Sequence, residues 1–247
     1  MGQEYILVTG ATSGIGAALA QGLVRDGVPV VACGRNRERL DMFMKLGGGG
    51  ITLSYPFDLT DTAHLEGSLT AFLADHACNI RGFVHCAGVY PIAPLRMMSD
   101  ADAHDVMDVN LFSAMAILRA LVKKRVNHGA LASVVMVSSI NSYRGASGFT
   151  AYCASKGAVD AFVRAAATEL APRVRINAVR SGIIQTHGTD EQTKEAQAIF
   201  QQPEAHGYLL GNGSTDDVVS MIRYLLSERA RWITGQCFTV DGGLTAH

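Results

Sequence analysis

The chain has 247 residues, of which 48% are hydrophobic and 17% are charged, and this length suits one α/β domain or two small ones. The formal net charge is −1 and no basic run stands out, which argues against a nucleic-acid binder. No apolar run is long enough to form a membrane-spanning helix, which argues against a membrane protein.

Along the chain, apolar runs alternate with longer segments of helical periodicity, beginning with a strand at Ile6–Val8 and a helix at Ile15–Arg25. The further predicted strands are Val28–Cys33, Ile51–Tyr55, Gly82–His85, Ser133–Ser138, Arg175–Val179 and Gln236–Val240. The further predicted helices are Arg37–Leu46, Asp61–His76, Asp100–Val126, Tyr152–Leu170 and Thr215–Leu226. This alternation predicts one α/β domain over residues 1–247, with parallel strands, right-handed crossovers and helices on both faces.

One stretch interrupts the alternation. Residues 181–213 are polar and irregular, with a single predicted helix around Glu191–Gln201. Long excursions of this kind in compact domains are usually functional loops or lids. We therefore predict that residues 187–212 form a mobile lid on the substrate side, with Gly188 and Gly207 as its flexible points.

The cysteines give a further indication of class. They are widely spaced, odd in number and without a C-x-x-C pattern, which disfavours a disulfide framework and a zinc site. The N-terminal residues lack the pattern of a secretory signal peptide. Together these features favour a reducing, cytoplasmic location.

A glycine-rich turn lies between the first predicted strand and the first helix. Its spacing is T-G-x-x-x-G-x-G, with glycines at Gly10, Gly14 and Gly16. Glycines here permit a tight turn and close approach of the backbone to a pyrophosphate, and the helix N-terminus offers free N–H groups to the anion. The position of the turn in a βαβ unit favours dinucleotide binding over an ordinary strand–helix turn.

The end of the second strand discriminates between the two nicotinamide dinucleotides. An NAD site presents an acid to the ribose 2′-hydroxyl there, whereas an NADP site presents an arginine to the 2′-phosphate. This chain has Arg35 at that place and no acid until Glu38. The alternative is a solvated loop arginine. We predict that NADP(H) is preferred and that NAD(H) remains possible.

Asp58 follows the third predicted strand, before Leu59. At the carboxyl edge of the sheet its carboxylate could accept a hydrogen bond from the adenine amino group. Alternatively it is the N-cap of the next helix, a position that aspartate favours. The sequence leaves both interpretations open.

Tyr152 and Lys156 are four residues apart on a predicted helix, which places both side chains on one face. Tyrosine ordinarily has a pKa near 10, and an adjacent ammonium or an oxidised nicotinamide would lower it. Ser139, thirteen residues before Tyr152, could hold a substrate carbonyl beside the phenol. Asn110 lies inside the long helix, where asparagine is mildly unfavourable, and could hold a water near Lys156 or make a buried structural hydrogen bond.

Taken in order, these motifs resemble those of the short-chain dehydrogenase/reductase family. The matching residues are TGATSGIG, Asp58, His85-Cys86-Ala87-Gly88, Asn110, Ser139, YCASK, RINAV, ITGQ and VDGG, which extend over essentially the whole chain. The resemblance implies a Rossmann fold with a doubly wound parallel sheet of about seven strands. It also implies a homodimer or homotetramer that acts on a small-molecule carbonyl or alcohol.

The resemblance further implies a catalytic tetrad of Asn110, Ser139, Tyr152 and Lys156, with Tyr152 as proton donor or acceptor. No metal is expected. The positions that it implies for cofactor binding are Gly10, Thr12, Ser13, Gly14, Ile15, Gly16, Arg35, Asp58, Leu59, Cys86, Ala87, Gly88, Tyr152, Lys156, Gly182, Ile183 and Thr186.

Two departures from the family pattern bear on the site. The family usually has N-N-A-G where this chain has His85-Cys86-Ala87-Gly88, so we expect His85 to replace sheet-bracing hydrogen bonds rather than act as a catalyst. The family usually has P-G after the sixth strand, where this chain has Ser181-Gly182. Without the proline we expect this wall of the site to be more mobile.

The leading hypothesis is an NADPH-dependent reductase that interconverts a ketone and a secondary alcohol, with 3-oxoacyl thioesters as the nearest substrate class among similar proteins. One alternative is an NAD(P)-dependent dehydrogenase of a sugar, polyol, sterol or other hydroxylated metabolite. Another is a nucleotide-binding regulator without turnover, against which the four tetrad residues argue. We expect Ile140–Thr150, Val89–Arg96 and residues 187–212 to line the substrate pocket, where Arg144 could meet a carboxylate or phosphate.

Overall fold

The computed structural model describes residues 3–46, 52–185 and 207–246. Its strands form at the predicted apolar runs. Strands of a sheet that is covered on both faces are apolar on both sides, so their sequences do not alternate between apolar and polar residues. Seven of them are β1 (Gln3–Thr9), β2 (Val30–Gly34), β3 (Thr52–Pro56), β4 (Cys78–His85), β5 (Ser133–Ser139), β6 (Arg175–Ser181) and β9 (Cys237–Val240). Two short strands, β7 (Ile184–Gln185) and β8 (Gly213–Ser214), complete the described set.

The seven long strands form one parallel sheet in the order β3-β2-β1-β4-β5-β6-β9. The order reverses at β1, where Leu7 pairs with Val31 of β2 on one side and with Phe83 of β4 on the other. In such sheets ligands bind at the carboxyl ends of the strands, beside the reversal point. The predicted α/β fold with seven parallel strands is confirmed.

Helices cover both faces of the sheet. They are α1 (Gly14–Arg25), α2 (Arg37–Leu46), α3 (Thr62–Asp75), α4 (Asp100–Met107), α5 (Ser113–Leu121), α6 (Lys124–Asn127), α7 (Thr150–Leu170) and α8 (Thr215–Leu226). One buried cluster joins α3, α5 and α7 to the sheet, for example through Leu69, Ile117 and Val163. The other joins α1, α2 and α8 to the opposite face, for example through Leu19 and Ile222. None of these helices is long and apolar enough to cross a membrane.

The long predicted helix over Asp100–Val126 is wrong as a single element. A capping box of Ser99 and Asp102 starts α4, but a π-helical turn at Asp108–Phe112 separates α4 from α5. A π turn contains one more residue than an α turn, and such turns occur often at functional sites. Asn110 lies inside this turn, with its side chain bound to Val89.

The irregular stretch over residues 181–213 was only partly predicted. β6 continues to Ser181, and β7 pairs in parallel with β8 in a separate small sheet. The predicted helix at 191–201, Thr186, Gly188 and most of the predicted lid lie outside the described residues. The nature of residues 187–206 therefore remains a prediction from the sequence.

Candidate active site

The glycine-rich turn between β1 and α1 lies at the carboxyl edge of the sheet. Gly10 has a φ of 66°, in the left-handed region, and a Cβ there would lie 2.8 Å from the backbone nitrogen of Ala87. A Cβ at Gly16 would lie 2.3 Å from the carbonyl oxygen of Gly10. Only glycine therefore fits at these two positions, where the turn packs on Ala87 and the start of α1 packs on the turn.

The N-terminus of α1 follows this turn directly. Ser13 is its N-cap but makes no side-chain capping bond, and the first turn contains no acidic residue. The N–H groups of Gly14, Ile15 and Gly16 therefore keep the positive end of the helix dipole without a neutralising carboxylate. Thr12 precedes them and packs against Gly34, where a Cβ would lie 3.0 Å from the Thr12 methyl group.

A chain of hydrogen bonds connects this edge of the sheet to the π turn. The N–H of Ala87 donates to Thr9 Oγ1 at 3.3 Å, Thr9 Oγ1 lies 2.9 Å from His85 Nδ1, and His85 Nε2 lies 3.0 Å from the Val109 carbonyl. Because a carbonyl only accepts, Nε2 carries the ring proton and Nδ1 accepts from Thr9. Burial, with a smaller effect of Lys156, lowers the pKa of His85 to about 3. The ring is therefore neutral and braces the sheet, as we expected.

Two further predicted cofactor positions lie on the β2–β3 side of the edge. Arg35 directly follows β2 and its side chain is exposed. Asp58 is exposed after β3, and its carboxylate accepts from the backbone N–H and the hydroxyl of Thr60 at 3.1 and 2.9 Å. The N-cap of α3 is Asp61 instead, so the N-cap interpretation of Asp58 is wrong. The next residue, Leu59, is buried in the core.

Asn110 is completely buried and binds the loop that follows β4. Its Oδ1 accepts from the N–H of Val89 at 2.8 Å, and its Nδ2 donates to the carbonyl of Val89 at 3.0 Å. Nδ2 also donates to Ser155 Oγ on α7 at 2.9 Å. A Cβ at Gly88 would lie 3.4 Å from both Asn110 Oδ1 and Lys156 Nζ, so the two atoms flank this glycine. The buried structural hydrogen bond that we considered for Asn110 is present.

The structure brings Ser139, Tyr152 and Lys156 together. Ser139 is the last residue of β5, and its hydroxyl accepts from the N–H of Asn141 at 3.1 Å and contacts the Tyr152 side chain. Tyr152 and Lys156 share a face of α7, with Lys156 Nζ 5.7 Å from the centre of the Tyr152 ring. Nζ donates to the Val137 carbonyl at 2.9 Å. A phenol, a hydroxyl and an ammonium therefore converge at one point.

The electrostatics of this group differ from our expectation. Burial raises the pKa of Tyr152 to about 12, and the contact with Ser139 lowers it only in part. We predicted that Lys156 would lower the pKa of Tyr152, but Nζ donates to the Val137 carbonyl and burial has the largest effect on the phenol. The phenol is consequently protonated at neutral pH.

Lys156 itself is perturbed in the opposite direction. Burial lowers the pKa of its ammonium to about 8, against a smaller raising effect of Cys86 and Asp160. The ammonium is therefore charged at neutral pH and loses its proton only slightly above it. Burial also raises the pKa of the Cys86 thiol to about 12, which makes this residue a weak nucleophile.

The far wall of the site follows β6. Gly182 packs directly on Asp241, where a Cβ would lie 2.9 Å from the Asp241 Cα. The N–H of Ile183 donates to the Tyr208 hydroxyl at 2.9 Å, so this amide is engaged within the chain. The segment after β6 therefore contacts Tyr208, which precedes β8, and Asp241, which follows β9, and the greater mobility of this wall stays a prediction.

Several residues of the site were not predicted from the sequence. Thr9 and Tyr208 have partners far away along the chain and give no local signal. Asp160 follows Lys156 by four residues, and a carboxylate on the same face of α7 was a signal that we did not use. In the described ranges, no group of three or more His, Cys, Asp or Glu could hold a metal ion, and all five cysteines are free.

Similarity to known proteins extends along nearly the whole chain. The family model described as "Enoyl-(Acyl carrier protein) reductase" matches residues 10–245. A 3-oxoacyl-[acyl-carrier-protein] reductase of Rickettsia prowazekii is 31% identical over 240 residues, which cover 96% of this chain and 95% of that relative.

Two solved structures have the same fold. A 4-hydroxyisoleucine dehydrogenase in complex with NADH and succinate superposes with a TM-score of 0.87 at 28% identity, covering 98% of this chain and 100% of that one. A protein of Beutenbergia cavernae, described as a "putative NAD(P) dependent gluconate 5-dehydrogenase" with NADP bound at low occupancy, has a TM-score of 0.86 at 31% identity, covering 100% of this chain and 98% of that one. One structure thus holds NADH and the other NADP.

Proposed function

The chain belongs to the short-chain dehydrogenase/reductase family of oxidoreductases, which act on CH–OH and C=O groups, and from this premise we propose that it is an NADPH-dependent ketoreductase with Tyr152 as its general acid. The observation that carries the proposal is the convergence of Ser139, Tyr152 and Lys156, in which the phenol is protonated and the ammonium is charged at neutral pH. A reductase needs these two protonation states.

The residues present fit a nicotinamide dinucleotide. The tight turn of Gly10 and Gly16, where no side chain fits, leads into the uncapped N-terminus of α1, whose N–H groups suit a pyrophosphate. Gly88 is exposed and is flanked by Asn110 and Lys156, and we propose that a ribose hydroxyl binds to Lys156 there. Gly182, Ile183 and Thr186 would hold the nicotinamide amide, and Asp58 the adenine. A bound NADPH supplies the hydride.

The preference for NADPH rests on Arg35. Its exposed guanidinium directly after β2 can form charge-assisted bonds to a 2′-phosphate, and no acid stands there to bind a 2′-hydroxyl. Lys and Arg differ in this role because only the guanidinium offers a planar fork of donors. This observation favours NADP(H) although one structural neighbour was solved with NADH.

In the reduction, Ser139 donates a hydrogen bond to the substrate carbonyl oxygen and holds it beside the phenol. Tyr152 donates its proton to the developing alkoxide, since a pKa of about 12 keeps that proton available at neutral pH. Lys156, whose ammonium is charged at neutral pH, holds the ribose. Asn110 keeps the Gly88–Val89 backbone in place through its two bonds to Val89.

A 3-oxoacyl thioester is the substrate class that we propose first, because the Rickettsia relative is a 3-oxoacyl-[acyl-carrier-protein] reductase. The second candidate is oxidation of a hydroxylated metabolite. It is favoured by exposed Arg144, which lies near Tyr208 and Asp241 beside the site, and by the two neighbours named as dehydrogenases of hydroxylated acids.

We also propose that the chain forms a homodimer or homotetramer in a reducing cytoplasm. Large apolar side chains are exposed at Leu95, Met97, Phe112 and Met115, and Trp232 is 91% exposed. Large apolar side chains left exposed to water are consistent with a contact surface between copies of the chain. Light scattering of the purified protein tests the assembly, and a monomeric mass at micromolar concentration contradicts it.

The decisive experiment is a turnover screen of NADPH and NADH against ketones, 3-oxoacyl thioesters and keto acids. We expect NADPH consumption with at least one ketone or thioester. Tight binding of NADPH without turnover of any member of the panel, in either direction, would instead support a nucleotide-binding regulator.

A further inference from the structure

A buried carboxylate lies directly below the candidate catalytic group and has no part in the proposed proton transfer. Asp160 follows Lys156 by four residues and therefore shares its face of α7. Its side chain is only 5% exposed. Burial of a carboxylate is unfavourable unless partners compensate for the lost water, so its contacts indicate what the residue does.

The partners of Asp160 come from two neighbouring strands. The hydroxyl of Ser138 donates to Asp160 Oδ1 at 2.7 Å, and Arg180 Nε donates to Oδ2 at 2.7 Å. Ser138 and Arg180 are paired across β5 and β6. Ser138 is the residue immediately before Ser139. The carboxylate of α7 thus fixes the ends of both strands at the point where β5 delivers Ser139 to the site.

The other side of Arg180 reaches two more segments around the site. Its guanidinium carbon lies 5.0 Å from the centre of the Tyr143 ring, in the loop after Ser139. The Tyr143 hydroxyl donates to Thr245 Oγ1 at 2.9 Å, and the Thr245 hydroxyl donates to Asp241 Oδ2 at 2.6 Å. Through these contacts one guanidinium connects α7 with the Ser139 loop and the C-terminal turn.

We propose that Asp160 and Arg180 are positioning residues that set where Ser139 lies relative to Tyr152. Ser139 is carried by β5 and Tyr152 by α7, so the distance between their hydroxyls depends on how the end of β5 is held on α7. The described side-chain hydrogen bonds between these two segments are those of Ser139 with Tyr152, of Lys156 with Val137 and of Ser138 with Asp160 and Lys156. The inference rests on the proposed function, in which Ser139 orients the carbonyl.

The first test compares two arginines of the same strand. Arg180→Met should lower kcat by about 10- to 100-fold, because a displacement of about 1 Å in an active site has effects of this size. The KM for NADPH should stay within about twofold, since the described side-chain contacts of Arg180 are with Asp160 and Tyr143 rather than with a proposed cofactor position. Arg175, at the start of β6, donates to the carbonyls of Leu225 and Ser227, so Arg175→Met should alter stability with kcat unchanged.

The second test is rescue. The double variant Asp160→Asn/Arg180→Gln removes both charges but keeps groups that can hydrogen-bond to each other and to Ser138. We expect its kcat to recover to within about fivefold of the wild type. This variant also tests the proposal if Arg180→Met folds poorly, because it leaves no unpaired buried charge.

A third measurement needs neither cofactor nor substrate. Hydrogen exchange of the ligand-free protein should be faster in Arg180→Met at the amides of Asn141, Tyr143 and Arg144, which bond to Ser139 and Ile140. The same amides should be unaltered in Arg175→Met. Because this readout does not depend on turnover, it separates failure of the positioning role from failure of the proposed function.

The proposal is overturned if Arg180→Met folds and keeps kcat within about twofold of the wild type. It is equally overturned if Arg175→Met lowers kcat as much as Arg180→Met does. It is also overturned if exchange at Asn141, Tyr143 and Arg144 does not change. If no wild-type substrate is found, the proposed function fails instead, and the exchange comparison alone decides whether Arg180 holds the Ser139 loop.

Discussion

Two asparagines make the same hydrogen bonds at opposite ends of β4. Asn127 accepts from the N–H of Ile80 at 2.7 Å and donates to its carbonyl at 2.8 Å, near the start of the strand. Asn110 makes the same pair of bonds with Val89, beyond the end of the strand. Both side chains are completely buried.

The difference lies in the third hydrogen bond. Asn127 donates it to the Leu121 carbonyl, so the three hydrogen-bond partners of this side chain are backbone groups. Asn110 donates it to the hydroxyl of Ser155, on the helix that carries Tyr152 and Lys156. The same side-chain chemistry is therefore purely structural at the amino edge of the sheet and part of a candidate site at the carboxyl edge. What a buried polar residue contacts next, rather than its own bonds, indicates function.

The largest expected difference between the two edges of the sheet is the loss of turnover on substitution of Tyr152. Tyr152→Phe should reduce turnover by about 10²- to 10⁴-fold, because it removes a positioned proton donor. NADPH affinity should stay close to that of the wild type, since the ring remains. Tyr55→Phe is the matched control, because it removes a buried phenol that donates to Ser68 away from the site. Steady-state kinetics on a confirmed substrate measure both, and near-normal turnover of Tyr152→Phe would refute the mechanism.

Cofactor choice gives the next largest effect. Arg35→Asp should reverse the preference from NADPH to NADH, with a loss of about 10- to 100-fold in NADPH affinity, because it replaces a charge-assisted bond with repulsion. Arg81→Asp, at another exposed arginine within β4, should leave both affinities unchanged. Fluorescence titration with each dinucleotide measures them. Equal wild-type affinities for NADPH and NADH would contradict the role of Arg35.

The asparagine pair itself provides a sharper test. Asn110→Ala and Asn127→Ala should each lower the free energy of unfolding by about 1–3 kcal/mol, since each leaves buried backbone groups of β4 or its loop unpaired. Denaturant unfolding measures this loss. Only Asn110→Ala should also lower kcat, by about tenfold or more, through displacement of the Gly88–Val89 backbone. Equal kcat values for the two folded variants would mean that the edges do not differ.

The last prediction concerns pH. Lys156 has a pKa lowered to about 8 by burial, so its ammonium is present below that pH and is lost above it. Accordingly kcat/KM for NADPH should fall about tenfold per pH unit above pH 8, since this parameter reports groups of the free enzyme. His85, with a pKa of about 3, should contribute no change between pH 5 and 8. A profile that is flat up to pH 10 would contradict the role of Lys156.

The fold was largely predictable because its signals are local. Strands such as β5 are continuous apolar runs, and the bounds of α2 and α8 agree with the periodicity of their sequences. The π turn was not predictable, because the partner of Asn110 is Val89, twenty-one residues earlier and in a separate segment. Local periodicity contains no information about such a bond.

The candidate site, like the fold, was predictable where its signals are local and not where they depend on tertiary structure. Tyr152 and Lys156 were predicted from their spacing on one helix, whereas the approach of Ser139 depends on how β5 packs on α7. Burial raises the pKa of Tyr152, opposite to the direction that we predicted from the nearby ammonium. Charge proximity can be estimated from a helix alone, but desolvation depends on side chains that only tertiary structure brings together.

The π turn at Asp108–Phe112 fixes the rotational phase between the two helices that flank it. An α-helix turns by about 100° per residue, so an extra residue inside a regular α-helix would rotate every later residue by that angle. The wider π turn accommodates the extra residue without this rotation. If the segment wound into a regular α-helix without losing a residue, the buried face of α5, with Ile117 and Leu121, would rotate out of the core. Deleting one residue would instead preserve the core and turn Asn110 away from Val89. The apolar packing of α5 therefore stabilises the orientation of a polar side chain two turns away, and a single-residue deletion in this turn would separate the fold from its activity.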